Sequence, residues 1–166
     1  MKKVLTTLVI LGAFAVAGFA QPRAIGARLG MNEEFSYQHS ITSNLYTDLT
    51  AGVSGLWSNY NGYNWGYADI NAMFDWTFNI KGIWNWFVGP GAGVGFGFGS
   101  AYRYYDVVPF RVNIGGQIGF EWQFNIPLNL TIDWRPMINV LGFNNTYYRP
   151  YAGLCSFGVG LRYRFH

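Results

Sequence analysis

Three groups of residues in this chain have types and spacings that invite chemistry. The first is a run of alternate glycines, Gly89, Gly91, Gly93, Gly95, Gly97 and Gly99, separated by Pro90, Ala92, Val94, Phe96 and Phe98. Glycine-rich loops cradle phosphate, but the dinucleotide fingerprint needs glycines at i, i+2 and i+5. Every glycine in this run is at an odd position, so i+5 is never glycine, and no Walker pattern exists. The second group is His39-Ser40, the one adjacent pair with the types of a base and a nucleophile. Such a pair must share a hydrogen bond. Neighbours in a strand point to opposite faces, so in a strand they do not meet. The third group, Asp69, Asn71 and Asp75, shares one parity and offers oxygen ligands to a cation. The same carboxylates also suit pairing with Arg111, Arg135, Arg162 or Arg164. Ion pairing comes first, because a buried unpaired charge is costly. No cofactor, metal or enzymatic activity is therefore expected.

The elements that hold these residues follow from composition and period. The chain has 166 residues, enough for one domain. Charged residues make up 11% and aromatic residues 20%, a poor mix for a soluble surface. Mean hydropathy is nonetheless close to zero. The formal charge of +3 is small and no basic run occurs, so nucleic acid is not an expected partner. Lys2 and Lys3 precede an apolar stretch that ends Gly18-Phe19-Ala20, the pattern of a secretory signal peptide over residues 1–20. Position 21 is Gln, which argues against a lipoprotein. Cys155 is the only cysteine, so the chain has no internal disulfide. After Ala20 no run approaches the ~20 apolar residues of a membrane helix.

Residues 21–166 read as one all-β domain. Eight alternating segments are expected: Arg23–Asn32, Glu34–Ile41, Leu45–Trp57, Tyr67–Phe78, Trp84–Gly99, Phe110–Phe124, Leu128–Val140 and Cys155–Phe165. Parity divides each into an apolar and a polar face. The apolar faces carry no charge. The polar faces hold Arg28, Glu34, Asp48, Asp69, Asp75, Arg111, Glu121, Asp133, Arg135, Arg162 and Arg164, six acids and five bases. Balanced charge on one face and an apolar second face describe a transmembrane barrel, lipid outside and ion pairs inside. Trp76, Trp84, Trp86 and Trp122 lie on apolar faces beside the short turns, as an interfacial aromatic girdle does. The fold expected is an eight-stranded antiparallel up-and-down transmembrane β-barrel. Pro90 conflicts with a closed sheet, so a bulge or a missing ladder bond is expected there. The glycine face looks inward, either making room for large charged side chains or walling a small cavity.

Several stretches carry a resemblance. They are Ser36-Tyr37-Gln38-His39, Gly89-Pro90-Gly91-Ala92-Gly93, Gly115-Gly116-Gln117-Ile118-Gly119, Asn125-Ile126-Pro127-Leu128, Asp133-Trp134-Arg135-Pro136 and Gly160-Leu161-Arg162-Tyr163-Arg164-Phe165. The chain resembles the small eight-stranded outer-membrane barrels of the OmpX/OmpA type. It is also similar to a family of short, signal-bearing barrel proteins of anaerobic gut bacteria. The resemblance implies a Gram-negative outer membrane, a monomer and termini in the periplasm. It implies that Gly160, Tyr163 and Phe165 are the signal read by the barrel-assembly machinery, with His166 one residue past the usual terminal aromatic. It does not name an activity. The long connections, rich in Tyr, Asn and Gly, have the composition of binding loops and mark a possible extracellular ligand surface. Three functions stay open: a structural or surface-interaction barrel, a conduit for small solutes or a hydrophobic ligand, and a lipid-modifying enzyme.

Overall fold

Apolar and polar residues alternate with a period of two along the strands, and most of the described backbone is extended. A computed structural model describes residues 22–54, 59–60, 63–64, 66–100, 110–142 and 154–165. The expected leader lies outside the described residues, as does most of the three long connections. The strands are β1 (Pro22–Gly30), β2 (Asn32–Ser40), β3 (Leu45–Ser54), β4 (Asn59–Tyr60), β5 (Tyr63–Asn64), β6 (Gly66–Lys81), β7 (Trp84–Phe98), β8 (Phe110–Gln123), β9 (Leu128–Trp134), β10 (Met137–Gly142) and β11 (Phe157–Arg164). β4 and β5 form a two-residue ribbon in the first long connection, between β3 and β6.

The others close into an eight-stranded antiparallel barrel, with β9 and β10 as two halves of one stave. The order around the wall is β1, β2, β3, β6, β7, β8, β9 with β10, and β11. Closure is made by β1 on β11, from Ala24↔Arg164 to Gly30↔Gly158. A closed sheet has no unpaired edge. The connections at one end are short. Ile41 N donates to Leu45 O, Gly82 turns at φ 57°, and Phe124 N donates to Leu128 O. A left-handed φ favours glycine, which explains Gly82.

The expected segments shift at several ends. The first connection is Met31 alone, and Glu33 enters β2, where it is exposed on the outward parity at the barrel's rim. So the apolar faces carry a charge at that rim. Gly99 falls outside β7, exposed and at φ 115°, and is not part of the inward glycine face. The stave expected over Leu128–Val140 is interrupted at Arg135-Pro136, because Pro136 has no N–H to give to a ladder.

Pro90 behaves in the second of the two expected ways. The β6–β7 ladder runs through Met73↔Gly91 and resumes at Trp76↔Val88 in the same register, so no bulge forms. What is lost is the pairing of Phe74 and Asp75 with Pro90 and Gly89. Gly116 N donates to Pro136 O at 3.1 Å, away from Pro90, its partner on β7. Antiparallel pairs alternate in the side they bond to. Pro90 therefore faces β6, where its missing hydrogen opens the gap.

Candidate functional site

The interior is the part of the molecule with concentrated chemistry. Arg28, Glu34, Asp48, Asp69, Asp75, Glu121, Asp133, Arg135 and Arg162 are all buried there. Period two delivers them: on each strand they alternate with outward residues such as Leu29, Phe35, Leu49, Ile70, Phe120, Ile132 and Leu161, all exposed.

The centre is a set of arginines, each bridging several strands. Arg28 Nε donates to Asp133 Oδ1 at 2.8 Å, and its Nη1 lies 3.4 Å from Glu34 Oε2. Arg135 Nη1 donates to the same Glu34 oxygen at 2.9 Å and to Thr50 Oγ1 at 3.1 Å. Its Nε donates to Gln117 Oε1 at 3.1 Å. Arg162 donates to Ser36 Oγ at 2.6 Å, Thr131 Oγ1 at 2.8 Å and Asp48 Oδ2 at 3.0 Å. Ser36 Oγ in turn donates to Asp48 Oδ1 at 2.7 Å. A guanidinium has five N–H donors in a planar fork, so one side chain satisfies groups from several strands.

Towards the long connections, Arg111 Nε donates to Asp69 Oδ1 at 2.9 Å, and the guanidinium lies 3.7 Å from the centre of the Tyr67 ring. Towards the short turns, Arg23 pairs with Glu121 at 2.6 Å, donates to Gln38 Oε1 at 2.9 Å and covers the Tyr46 ring. Tyr46 and Phe87 meet edge to face beneath it. Arg164 finds carbonyls instead of an acid, donating to Phe124 O at 2.8 Å, to Ile126 O at 3.3 Å and to Gln123 Oε1 at 3.1 Å.

Parity alone misses Arg23. It shares odd numbering with the outward Ile25, yet it reaches the interior. The register of β1 on β2 shifts between Pro22 and Ala24, leaving Arg23 as the extra residue. A bulge re-aims a side chain in this way. Proline at position 22, next to the expected leader junction, is the one local signal for it. With Arg23 included, the described inward charges become six acids and six arginines.

The inward glycines are filled, not empty. A Cβ at Gly91 would run into Met73 Sδ, one at Gly93 into Asn71 Oδ1, and one at Gly95 into Asp69 Oδ1. The β6 side chains lean across the bare backbone of β7. On β11 the Arg28 guanidinium lies over Gly158, and Arg162 with Thr131 lies over Gly160. Of the two roles open for the glycine face, this geometry favours room for large polar side chains.

The other residues singled out by type fall as follows. His39 is on the outward parity with Tyr37, whose hydroxyl lies 3.1 Å from His39 Nδ1, and Ser40 is on the opposite parity. Asp69, Asn71 and Asp75 do not converge: Asp69 takes Arg111, Asn71 Nδ2 lies 3.4 Å from both Glu34 Oε1 and Thr50 Oγ1, and Asp75 has no hydrogen-bond partner. The pairing expected for Asp75 is therefore absent. Among the described residues no arginine pairs with it, and Arg135 and Arg162 are held by Glu34 and Asp48. Trp76, Trp84, Trp86 and Trp122 gather near the short turns, with Trp84 on Trp122 at 5.1 Å and Trp86 stacked on Phe78 at 4.8 Å. Tyr163 and Phe165 point outward beside each other, and Phe165 N donates to Arg23 O. No protein-family model matches the chain, and no curated protein matches it.

Proposed function

We propose that this chain is an integral outer-membrane barrel, and that it serves as a structural or surface-interaction element with a closed polar interior. One observation carries the membrane part. Leu29, Phe35, Ile70, Phe96, Phe157 and Leu161 are each more than half exposed, while Arg28, Arg135 and Arg162 are sealed inside. In water that inversion would expose a continuous apolar belt far larger than monomeric proteins tolerate. In lipid it is the stable arrangement. Trp76, Trp84, Trp86 and Trp122 at the short-turn end then sit at the level of the headgroups. A leader over residues 1–20 takes the chain across the inner membrane, and Gly160, Tyr163 and Phe165 engage the assembly machinery.

The ion-paired interior supports a filled barrel over a conduit. Eight strands enclose room for side chains or one small ligand, and here the arginines and the β6 side chains occupy the section. The long connections would then carry the contact with partners. The test uses the full chain folded into lipid vesicles. It should float with the vesicles, resist protease except at the long connections, and give no steady current steps in a planar bilayer. Regular ion-passing steps would overturn the filled interior. Failure to float would overturn membrane insertion.

A further inference from the structure

Five of the six inward acids have an arginine: Glu34, Asp48, Asp69, Glu121 and Asp133. The sixth, Asp75, is fully buried, and neither of its oxygens has a hydrogen-bond partner. The arginine left over is Arg164, but it is held at the barrel's end by the Phe124 and Ile126 carbonyls. The charges that weigh most on Asp75 are Asp48, Arg135, Asp133 and Arg162. Each of these arginines is paired with another acid, and Arg23, which covers the Tyr46 ring, is paired with Glu121.

A second orphan sits beside it. Tyr46 is the register partner of Asp75 on the neighbouring strand, is 2% exposed, and its hydroxyl has no hydrogen-bond partner either. On the other side the row continues through Gly89, which has no side chain, to Gln117. The β6–β7 ladder is also open at this level, at Phe74 and Asp75. Uncompensated carboxylate, free hydroxyl oxygen and a bare glycine thus share one row of the inner wall. Burying an unpaired carboxylate costs several kcal/mol, so the folded barrel must neutralise it.

We propose that Asp75 and Tyr46 form a buried site for a monovalent cation, sodium or potassium, held by the Asp75 carboxylate and the Tyr46 hydroxyl oxygen. Hard cations take oxygen ligands. A single charge suffices to balance a single carboxylate. Among the described residues no three His, Cys, Asp or Glu side chains converge, so a divalent or transition ion is not favoured. Gln117 Nε2, across Gly89 in the same row, is a further buried donor without a partner. The site depends on the interior alone and is independent of whether the barrel lies in a membrane.

The test is made on the full chain folded in detergent micelles, in sodium chloride, potassium chloride or N-methylglucamine chloride at equal ionic strength. Sodium NMR should show a saturable bound component that potassium displaces. The urea midpoint should rise with sodium or potassium but not with N-methylglucamine, because only an ion bound to the folded state stabilises it. Asp75→Asn, which keeps the shape and removes the charge, should abolish both effects. Tyr46→Phe should fold and lower the apparent affinity at least ~10-fold, the scale of losing one contact to a charged group. The proposal is overturned if Asp75→Asn keeps the ion response. It is equally overturned if no small cation has any effect and the infrared spectrum shows a protonated carboxyl band that Asp75→Asn removes, since a proton then fills the role.

Discussion

Arg28 is sealed from water and owes its charge balance to two acids, Asp133 and Glu34. Each residue of this set is more important for the partner it would strand than for the bond it makes. Removing one member of a buried ion pair costs about 3–5 kcal/mol, because the other is left charged and dry. Asp133→Asn should therefore lower stability by about that much in urea unfolding of the folded barrel. Arg28→Met with Asp133→Leu should cost clearly less, since no charge is then stranded. If the double substitution came out as damaging as the single one, packing over Gly158 and not charge would hold this corner. The identities of these residues were legible in the sequence, since parity alone put Asp133, Glu34 and Arg28 on one face. Their pairings were not. Which acid meets which arginine depends on register across strands far apart in the chain, and local pattern carries no such information. Asp75 shows the cost of reasoning from charge balance alone: the acids and arginines match in number, yet one acid is not reached.

Strand positions were readable because period two is strong here, and the ends were not, because ends are set by bonds between neighbours. Glu33, Gly99 and the break at Arg135-Pro136 are all such cases. The bulge beside Pro22 is the most consequential, since one extra residue turned Arg23 inward against its parity. Pro90, Gly116 and Pro136 lie side by side on three neighbouring staves, and the two prolines have no N–H to give to a ladder. The backbone of Pro90 faces Phe74 across the gap in β6–β7. Restoring an N–H by Pro90→Ala should close it. A new backbone bond is worth about 0.5–1.5 kcal/mol, and losing the proline ring's stiffness takes back about 0.4–1. The net change in stability should stay within about 1 kcal/mol. Hydrogen exchange is the sharper measure: amides of Phe74 to Trp76 should exchange more slowly in the variant. Unchanged exchange would mean that the gap is imposed by the close approach of Gly89 to Phe74 O and not by the proline.

The whole molecule is a barrel turned inside out relative to a water-soluble sheet, and substitutions by arginine probe that inversion directly. Ile114 and Val159 lie mid-strand on the outer face, 49% and 47% exposed. If water surrounded them, arginine there would be nearly free, as at most surface positions. If hydrocarbon surrounds them, Ile114→Arg and Val159→Arg should each cost roughly 2–4 kcal/mol. The inner control must be chosen from the geometry. Gln117 is a poor one, since it is buried and already accepts a bond from Arg135, so a second cation there would be crowded and repelled. Ser54 is better. It is half-buried near the open end of β3, and its hydroxyl lies 3.5 Å from Asp69 Oδ2, so an arginine there gains an acid partner. Ser54→Arg should cost less than either outward substitution when all three are unfolded from the same vesicles. The order of the three costs decides the matter: an outward arginine cheaper than Ser54→Arg would place water, not lipid, against the apolar face.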